Sequence, residues 1–577
     1  MGLRAEEAIP HDILKPAHWS KHYDTKLLPD FLRGTEVEKA IREHHEKWFS
    51  DTLAAAVGRP FFDGPDYMEG EDIDNCTLFF IPVYETDECK NGVVRWTREK
   101  RKKLQEDILR IFKEERRKGG KNWLLRANRR VNEALRHFPA DTWSPVSSLK
   151  AHHMSTWMLH PHDDVLKGIV KDKISRGEYP ELLMLMIGVP STEFHKLKER
   201  RKFEQFRKST ISKIEDLFFK TLPEKYGLRL PFARVGDEVL TLILADQKVR
   251  RKPILKLILS TLMQARVKCR ITVMRIPVSR EKSKTRRRDC YVISEEPRTE
   301  EYPLGATLEE GKLKGKAEWV VHMKKPLVLW VVIRPKDLVE CCRFFIEEYA
   351  MKKLESLPRV LRPGAIKRPE PMLAANPDLM ITITDDYMRF LRDVKKVLGP
   401  KSDILMSFSE SLFIRGMKEP ESAVRIYARL LSLKRKLHIP VDMSLILTYN
   451  KFPFWRVLEI AKTYKNSLTF LPRGGTSMSL TEKDFEEAMK VIPIVKGIKK
   501  SVWGEVVKAS AKSMTEFMFE LERLTIGKGK LTIAQRNALL KLAKTIEQNH
   551  QNEPEHVRRV LRYRIFDGLS DFAGKKT

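Results

Sequence analysis

The sequence predicts a multidomain α+β protein with a mainly helical N-terminal part, two tandem ferredoxin-like units and a C-terminal helical bundle. Three observations support this prediction. The chain has 577 residues, far more than one hydrophobic core serves, so three to five compact units are expected. The central part carries nearly the same order of strands and helices twice. Both ends are instead dominated by helical periodicity.

The N-terminal part is predicted to span residues 1–175. From about Glu99 to Arg136, apolar residues recur at helical spacing within a dense field of lysine and arginine, which predicts a basic helical surface. For any single charge on this surface, a solvated helix face with charge pairs one turn apart is the simpler interpretation.

The first ferredoxin-like unit is predicted at residues 176–278. Its elements follow the order strand, helix, strand, strand, helix, strand, which is the signature of the fold. The segments are LLMLMIGV, a helix from about Glu193 to Thr221, PFARVGDEVLTLILAD, a second helix and ITVMRI. An insertion and a proline-rich linker follow at residues 279–376, and the insertion contains the basic run KSKTRRR.

The second ferredoxin-like unit is predicted at residues 377–481, and a basic helical bundle at 482–577. In the second unit, LMITITDD is predicted to be a strand and residues 387–398 a helix. DILMSFSE and SLFIRG are predicted to form two strands around a tight turn, and VDMSLILTY a later strand between two helices.

The net charge is +31 and the isoelectric point is near 9.7, which predicts attraction to phosphate polymers, so nucleic acid is the first partner to consider. An anionic membrane would also attract this charge, but the sequence has no apolar run of about 18 residues and no amphipathic N-terminal anchor.

No secretory signal opens the sequence, so a soluble intracellular protein is expected. Reduced thiols and no structural zinc are expected, because no C-x-x-C pair occurs among Cys76, Cys89, Cys269, Cys290, Cys341 and Cys342.

Three segments resemble one known family, in the order in which that family carries them. PADTWSPVSSLKAHH resembles a segment in which a Pro-x-Asp-Thr stretch precedes a Ser-Leu-x-x-His helix start. MIGVPSTEFHKLKERRKFEQFRKS resembles the opening strand and helix of the family's first palm domain, and DMSLILTYNKFPFWRVLEIAK resembles a late strand, turn and helix of its second. On these segments the chain resembles the large ("Cas ten") subunit of type III CRISPR effector complexes, with its type I-D relatives.

The resemblance implies a cytoplasmic prokaryotic protein of antiviral defence. Such a subunit sits at the base of a ribonucleoprotein, contacts the 5′ tag of the guide crRNA and senses target RNA. Its implied partners are the backbone and small subunits and, in some complexes, a separate nuclease. In active members the second palm joins ATP into cyclic oligoadenylates and an N-terminal HD domain cuts single-stranded DNA. A cofactor, Mg²⁺ or Mn²⁺, is expected only if one of these sites is active.

The cyclase motif is altered in this sequence. Nucleotidyl transfer needs carboxylates on adjacent strands to hold two metal ions about 3.5–4 Å apart. Family cyclases carry Gly-Gly-Asp-Asp on the central hairpin, and the matching residues here are Phe408, Ser409, Glu410 and Ser411. The benzyl group of Phe408 would fill the space that the nucleotide needs, and Ser411 has a hydroxyl where the family has an aspartate. The palm is therefore expected to be inactive. Glu410 is interpreted as a turn residue in water.

Two acidic sites invite a catalytic interpretation. Asp385 and Asp386, at the end of the predicted strand, lie near the place of the family's metal-binding Asp-x-Asp motif and are candidates for residual metal binding. A cap of the following helix is the favoured interpretation. In the first palm, Gly236, Asp237 and Glu238 look like a catalytic hairpin, but the resemblance makes that hairpin a structural partner of the second palm.

An HD nuclease needs a His-Asp pair and further ligands around one or two metal ions. His11-Asp12 supplies a pair, and the candidate further ligands are His44, His45, His152 and His153. The family's pair sits within an apolar helix, whereas this pair follows Pro10. A shrunken HD remnant is therefore predicted, in which His152 or His153 holds a helix start.

With both sites degenerate, the expected function is an RNA-binding scaffold, since lysine and arginine position RNA while guide pairing supplies specificity. The candidate RNA contacts are Lys282, Lys284, Arg286, Arg287, Arg288 and Arg473, although solvated loops explain them equally well. Trp123, Trp143 and Trp157 are candidate stacking platforms or core residues. Two alternatives stay open: an active cyclase or HD nuclease with a divergent metal site, and an unrelated basic RNA-processing protein.

Overall fold

The computed structural model mixes helices and strands throughout, which confirms the predicted α+β class. None of the described helices has the length and hydropathy of a membrane span. The described residues are 4–57, 68–69, 72–89, 91–142, 144–168, 181–190, 200–282, 289–293, 297–304, 325–356, 376–418, 420–450, 452–471, 478–495, 498–549 and the single positions 551, 555, 558, 559, 562, 565 and 566.

The N-terminal part is mainly helical and contains two small antiparallel sheets. The described helices are α1 (Glu36–Lys47), α2 (Phe49–Val57), α3 (Arg98–Lys118), α4 (Trp123–Ala134), α5 (Leu149–Leu159) and α6 (Asp163–Gly168). The strands are β1 (Met68–Glu69), β2 (Thr77–Phe80) and β3 (Val94–Trp96) in one sheet, and β4 (Pro139–Asp141) and β5 (Ser144–Ser148) in the other. The basic helical stretch predicted from Glu99 to Arg136 is two helices, because Gly119 and Gly120 have φ values of 68° and 85° and separate α3 from α4.

The first ferredoxin-like unit has the predicted order of elements. They are β6 (Glu181–Gly188), α7 (Arg200–Asp216), α8 (Leu222–Tyr226), β7 (Ala233–Val235), β8 (Glu238–Leu244), the small hairpin of β9 (Lys248–Val249) and β10 (Lys252–Pro253), α9 (Ile254–Gln264) and β11 (Cys269–Lys282). The strands pair in the order β11-β6-β8-β7, all antiparallel. Two strands of the predicted insertion, β12 (Asp289–Ile293) and β13 (Arg298–Leu304), pair with β11.

The second ferredoxin-like unit begins earlier than predicted. Its elements are β14 (Leu327–Pro335), α10 (Leu338–Phe344), α11 (Met351–Ser356), α12 (Pro377–Leu398), β15 (Asp403–Met406), β16 (Ser411–Met417), α13 (Pro420–Lys434), β17 (Val441–Tyr449), α14 (Phe454–Thr463), β18 (Ser467–Leu471) and β19 (Met478–Thr481). The strands pair in the order β15-β16-β14-β17-β18-β19. Because β14 is central to this sheet, the unit starts at Leu327 and not at residue 377. The apolar run LVLWVV at the start of β14 is a strand signal within residues 279–376, the region predicted to be insertion and linker.

The segment LMITITDD, predicted as a strand, lies in helix α12. The Asn376 side chain accepts the Leu379 N–H at the N-cap, and Pro377 occupies the first helical position, both of which favour a helix start. The helix is buried at nearly every position from residue 377 to 388, so the apolar residues of LMITIT form a continuous run that favours a strand.

The described residues after Thr481 are helical, as predicted. The helices are α15 (Glu482–Val495), α16 (Lys500–Ser510), α17 (Met514–Glu522) and α18 (Ile533–Asn549). One hydrophobic core runs from the N-terminal part through both ferredoxin-like units into these helices, with Val146, Leu182, Leu445 and Leu539 among its buried members.

Candidate functional sites

The two ferredoxin-like units meet through their central hairpins. Asp237, at the turn between β7 and β8, donates its backbone N–H to the Met406 carbonyl at 2.6 Å and accepts the Met406 N–H on Oδ2 at 3.1 Å. Glu238 accepts the N–H of Phe408 at 2.8 Å. Gly236 permits this approach, because its φ is 60° and a Cβ there would overlap the Met406 carbonyl oxygen. The first hairpin thus lies beside the second, as the resemblance implied.

Arginines hold both carboxylates of this junction. Arg207 donates to Asp237 Oδ2 at 2.8 Å, and Arg270 donates to Glu238 Oε1 at 3.2 Å. Burial raises the pKa of Asp237 and of Glu238, and the arginines oppose the rise without cancelling it. Both side chains are therefore engaged in the contact between the units.

The segment that matches the cyclase motif is packed into the protein. Phe408 is 4% exposed and meets Tyr387 of α12 edge-on, with ring centroids 5.2 Å apart. Phe408 and Ser409 line a cavity of about 210 Å³ together with Glu238 and Arg270. Ligand pockets commonly have volumes of about 300–1,000 Å³, so this cavity is small for a nucleotide.

Glu410 is paired with an arginine and is not the solvated turn residue that the sequence predicted. Arg334, near the end of β14, places Nε 2.7 Å and Nη2 2.6 Å from Glu410 Oε1. β14 and β16 are neighbours, with Ile333 opposite Ser411. A catalytic palm holds its metal-binding carboxylates on adjacent strands at such a place. Here the Arg334 guanidinium faces the Glu410 carboxylate.

Asp385 and Asp386 lie within α12, so neither the predicted strand end nor the predicted helix cap is correct. Asp385 forms a 2.9 Å ion pair with the buried Lys150. Asp386 accepts the backbone N–H groups of Val83 and Tyr84 at 3.0 and 3.1 Å. Both carboxylates attach α12 to the N-terminal part.

A cluster of histidines and aspartates fills the centre of the N-terminal part. His11 and His152 both contact Asp51 Oδ1 through Nε2, at 2.9 and 3.0 Å. Asp12 Oδ1 lies 3.4 Å from His22 Nε2 and 3.5 Å from His44 Nε2. The structure therefore brings together the predicted residues His11, Asp12, His44, His152 and His153, and adds His22, Asp51 and Asp378. The side chain of His45 lies outside the described residues.

His152 and His153 lie on α5, but neither holds its start. The N-cap is Ser148, whose side chain accepts a backbone N–H of the first turn. His152 Nδ1 lies 3.4 Å from Asp378 Oδ2, and Ser155 donates a hydrogen bond to the same carboxylate. Asp378 belongs to α12, so the second ferredoxin-like unit supplies one carboxylate to the cluster.

Burial and close contacts set the charges of the cluster. Burial lowers the pKa of His11. Burial raises the pKa of Asp12, but Lys15, whose Nζ is 2.6 Å from Asp12 Oδ2, and His11 outweigh burial and hold this pKa well below its usual range. For His152, hydrogen bonds to two aspartates outweigh burial and raise the pKa to about 10.

The cluster has the ligand types of a divalent-metal site. Donor atoms of His11, Asp12 and His152 lie within 4.8 Å of one another, and the same holds for Asp12, His22 and His44. The two groups share Asp12, and among the described residues they are the only groups of this kind. The buried Nδ1 of His11 has no hydrogen-bond partner there. Imidazole and carboxylate suit several divalent ions, so these residues fit one or two of them.

Asp51 and Asp378 carry no local signal that predicts a metal site. Asp51 lies in the first turn of α2, and Asp378 follows Pro377 in the first turn of α12, where acidic residues are common for helical reasons. Only the folded chain brings them to the histidines.

The predicted RNA contacts fall at or beyond the edge of the described residues. Lys282 ends β11, with its backbone alone described. Trp157 is 4% exposed and stacks on His160, so it is a core residue, and Trp123 packs partly buried against the N-terminal core. Outside the described residues lie Lys284, Arg286, Arg287, Arg288, Arg473 and Trp143.

The fold is found in solved structures of CRISPR proteins. The chain is similar to a chain of the Csm1–Csm4 subcomplex in the type III-A CRISPR-Csm interference complex, with a TM-score of 0.51, 11% identity and 99% of each chain covered. For Csm1 of T. onnurineus the TM-score is 0.47, with 11% identity and coverage of 99% of this chain and 100% of that one. For the Csm1–Csm4 cassette in complex with cA4 it is 0.49, with 11% identity and coverage of 98% and 99%.

No protein-family model and no curated protein matches the sequence. The likeness to the subcomplex confirms, at the level of the fold, the resemblance that the sequence motifs indicated.

Proposed function

We propose that the chain is the large subunit of a type III CRISPR RNA-guided effector complex, where it acts as an RNA-binding scaffold with an inactive cyclase palm. The observation that carries this proposal is the likeness to the Csm1–Csm4 subcomplex, which extends over 99% of both chains and not over one common domain. The net charge of +31 fits a protein that holds RNA.

The inactive palm rests on the pair of Arg334 and Glu410. Metal ions for nucleotidyl transfer would have to bind beside a guanidinium that stays charged at all working pH values. The end of β14 offers Arg334, Pro335 and Lys336, two of which are cations. A divalent ion would meet repulsion there, and the Glu410 carboxylate is already paired with Arg334.

The proposed partners are guide crRNA, target RNA, and the backbone and small subunits of such a complex. A Csm4-like protein is the first protein partner to test, because Csm4 accompanies Csm1 in the solved subcomplex. In this role lysine and arginine contact the RNA backbone, while pairing with the guide selects the sequence. Cleavage would then fall to a separate nuclease or to the N-terminal cluster.

The test is incubation of the reconstituted guide-bound complex with target RNA, labelled ATP and Mg²⁺ or Mn²⁺, followed by chromatography for oligoadenylates. We expect target binding without product. Target-dependent product that is lost on Glu410→Gln would overturn the inactive palm. Failure to assemble with a guide of uniform 5′ sequence would overturn the scaffold role and favour an unrelated RNA-processing protein.

The histidine–aspartate cluster supports a second function, metal-dependent cleavage of single-stranded DNA. A divalent ion bound there would supply a hydroxide by lowering the pKa of its water. Asp378 contacts Nδ1 of His152 and leaves Nε2 facing Asp12, as carboxylates that orient metal-bound imidazoles do. The residues that would hold the ions are His11, Asp12 and His152 for one and Asp12, His22 and His44 for the other.

This second function is tested with labelled single-stranded DNA and Mn²⁺, using the purified chain and the guide-bound complex. Loss of cleavage on Asp12→Asn would support this function, provided that Asp393→Asn keeps the activity. Asp393 is the control because it lies near the C-terminal end of α12. Cleavage that survives Asp12→Asn would assign the activity elsewhere. Double-stranded DNA is the substrate control.

A further inference from the structure

The first ferredoxin-like unit carries a small hairpin made largely of cations. β9 and β10 pair Val249 with Lys252, and the two residues of the turn are Arg250 and Arg251. Lys248, Arg250, Arg251 and Lys252 are all exposed. Residues 248–252 are called the basic hairpin below.

Both arginines of the turn adopt a left-handed backbone conformation, with φ values of 49° and 68°. Two positive φ values in a two-residue hairpin define a type I′ turn, which favours Asn-Gly because other side chains are strained there. Arg266, after α9, has a φ of 49° as well. Of the five non-glycine residues with positive φ in the described part of the chain, three are these arginines. Strained positions that keep an unfavourable residue often serve function.

The cations of this region lack acidic partners. In the part of the chain that the structure describes, no ion pair is formed by Lys225, Lys248, Arg250, Arg251, Lys252 or Lys256. On the basic surface of α3 and α4, three arginines are instead paired with carboxylates, namely Arg110, Arg126 and Arg130. Unpaired cations that lie close together attract a polyanion more strongly than paired ones.

An aromatic ring lies at the centre of these cations. Lys225 Nζ and Arg250 Cζ lie 5.4 and 5.7 Å from the ring centroid of Tyr226. Lys225 also donates to Gln264 at 3.5 Å, which brings the end of α9 and Arg266 to the same surface. Point charges around a half-buried aromatic ring are the elements with which proteins bind single-stranded nucleic acid.

We infer that the basic hairpin and Tyr226 form a surface that binds the phosphate backbone of RNA. The choice of RNA over other polyanions rests on the proposed function. An anionic membrane attracts the same charges, but stable membrane binding also needs apolar residues that insert, and the hairpin tip presents arginine.

The test uses the full-length chain and the double substitution Arg250→Asn and Arg251→Gly. This change gives the turn its preferred residues, so the melting temperature should stay equal or rise while two charges are lost. Binding of a fluorescein-labelled oligouridylate is followed by anisotropy over a range of salt concentrations. Each lost phosphate contact should weaken binding about five-fold at 0.1 M salt and reduce the salt slope by about 0.7.

The matched control is Arg33→Gln with Arg110→Gln, which removes two exposed arginines that are paired with Asp30 and Asp107. It lowers the net charge equally and should change RNA affinity much less. Unchanged affinity in the hairpin variant, or an equal loss in the control, overturns the assignment. So does weaker binding to phosphatidylserine vesicles with RNA binding intact, which would make the surface a membrane contact. Guide RNA co-purification tests the proposed function independently of each of these outcomes.

Discussion

Arg334, near the end of β14, forms an ion pair with Glu410 in the turn between β15 and β16, with Arg334 Nη2 2.6 Å from Glu410 Oε1. Under the proposed function, this pair stands where a catalytic palm would bind metal ions between carboxylates, and the Arg334 guanidinium takes the place of a metal cation. The pair joins the end of β14 to the turn between β15 and β16, so it helps to hold the second unit together.

Arg334→Met should lower the free energy of unfolding by about 1–3 kcal/mol, because the mostly buried Glu410 loses its partner. The double change Arg334→Met and Glu410→Met should cost less than the sum of the two single changes, since no unpaired charge remains. Urea unfolding gives the free energy of unfolding of the wild type, the two single variants and the double variant. Additive losses would show that the two side chains are energetically independent.

Gly236→Ala should disrupt the junction between the two units. Gly227→Ala is the matched control, because Gly227 has a similar φ of 66° but a Cβ at that position would have no atom within 4 Å, whereas a Cβ of residue 236 would overlap the Met406 carbonyl oxygen. Both changes introduce the same backbone strain, because both glycines have a positive φ. The clash alone should therefore lower the free energy of unfolding of Gly236→Ala by about 1–3 kcal/mol more than that of Gly227→Ala, as measured by urea unfolding. Equal losses would mean that the hairpins separate freely.

His137 should make stability depend on pH. Burial lowers its pKa, but hydrogen bonds to Asp386 and Glu88 outweigh burial and raise the pKa above 6.5. The stabilisation from a raised pKa is fully present below the unfolded value of about 6.5 and is lost as the pH rises through the folded value. The contribution of His137 to the free energy of unfolding should therefore decrease as the pH rises from about 6.5 through the folded pKa of this histidine. Urea unfolding across a pH series should show a flatter profile for His137→Gln, and an unchanged profile would exclude this histidine as the source.

Asp378→Asn should weaken divalent-metal binding by the N-terminal cluster about 10–100-fold, the usual effect of removing a carboxylate that orients a ligand histidine. Its contact with His152 Nδ1, at 3.4 Å, is the reason. Titration calorimetry with Mn²⁺ measures the affinity, with Asp393→Asn as the control on the same helix. Equal affinity in wild type and Asp378→Asn would show that Asp378 has a structural role alone.

The central strands of the first unit, β6 and β8, could be predicted because each is an apolar run between glycine, proline or charged residues, as LLMLMIGV is. α12 could not be predicted in the same way. Its run of isoleucine and threonine favours a strand locally, and burial of nearly every position from 377 to 388 hides the one-sided pattern that the rest of the helix shows.

The candidate sites were predictable to different degrees. His11-Asp12 and the pair at His152 and His153 stand out as residue types, but the distances between them depend on how α2, α5 and α12 pack. The partner of Glu410 was not predictable, because Arg334 lies within residues 279–376, where the sequence predicts an insertion and a linker and no strand of the second unit. Pairings across such sequence distances are set by topology, which local patterns do not encode.

Helix α12 makes the N-terminal part depend on residues that the ribosome adds much later. Asp386 binds the backbone of Val83, 303 positions earlier in the chain, and Asp378 binds Ser155, 223 positions earlier. At about 5–20 residues per second, the ribosome needs roughly 15–60 s to span the longer interval. During that time the nascent N-terminal part lacks the carboxylates that complete its polar interior. It should therefore leave the ribosome incompletely folded and stay accessible to chaperones until the middle of the chain has been made.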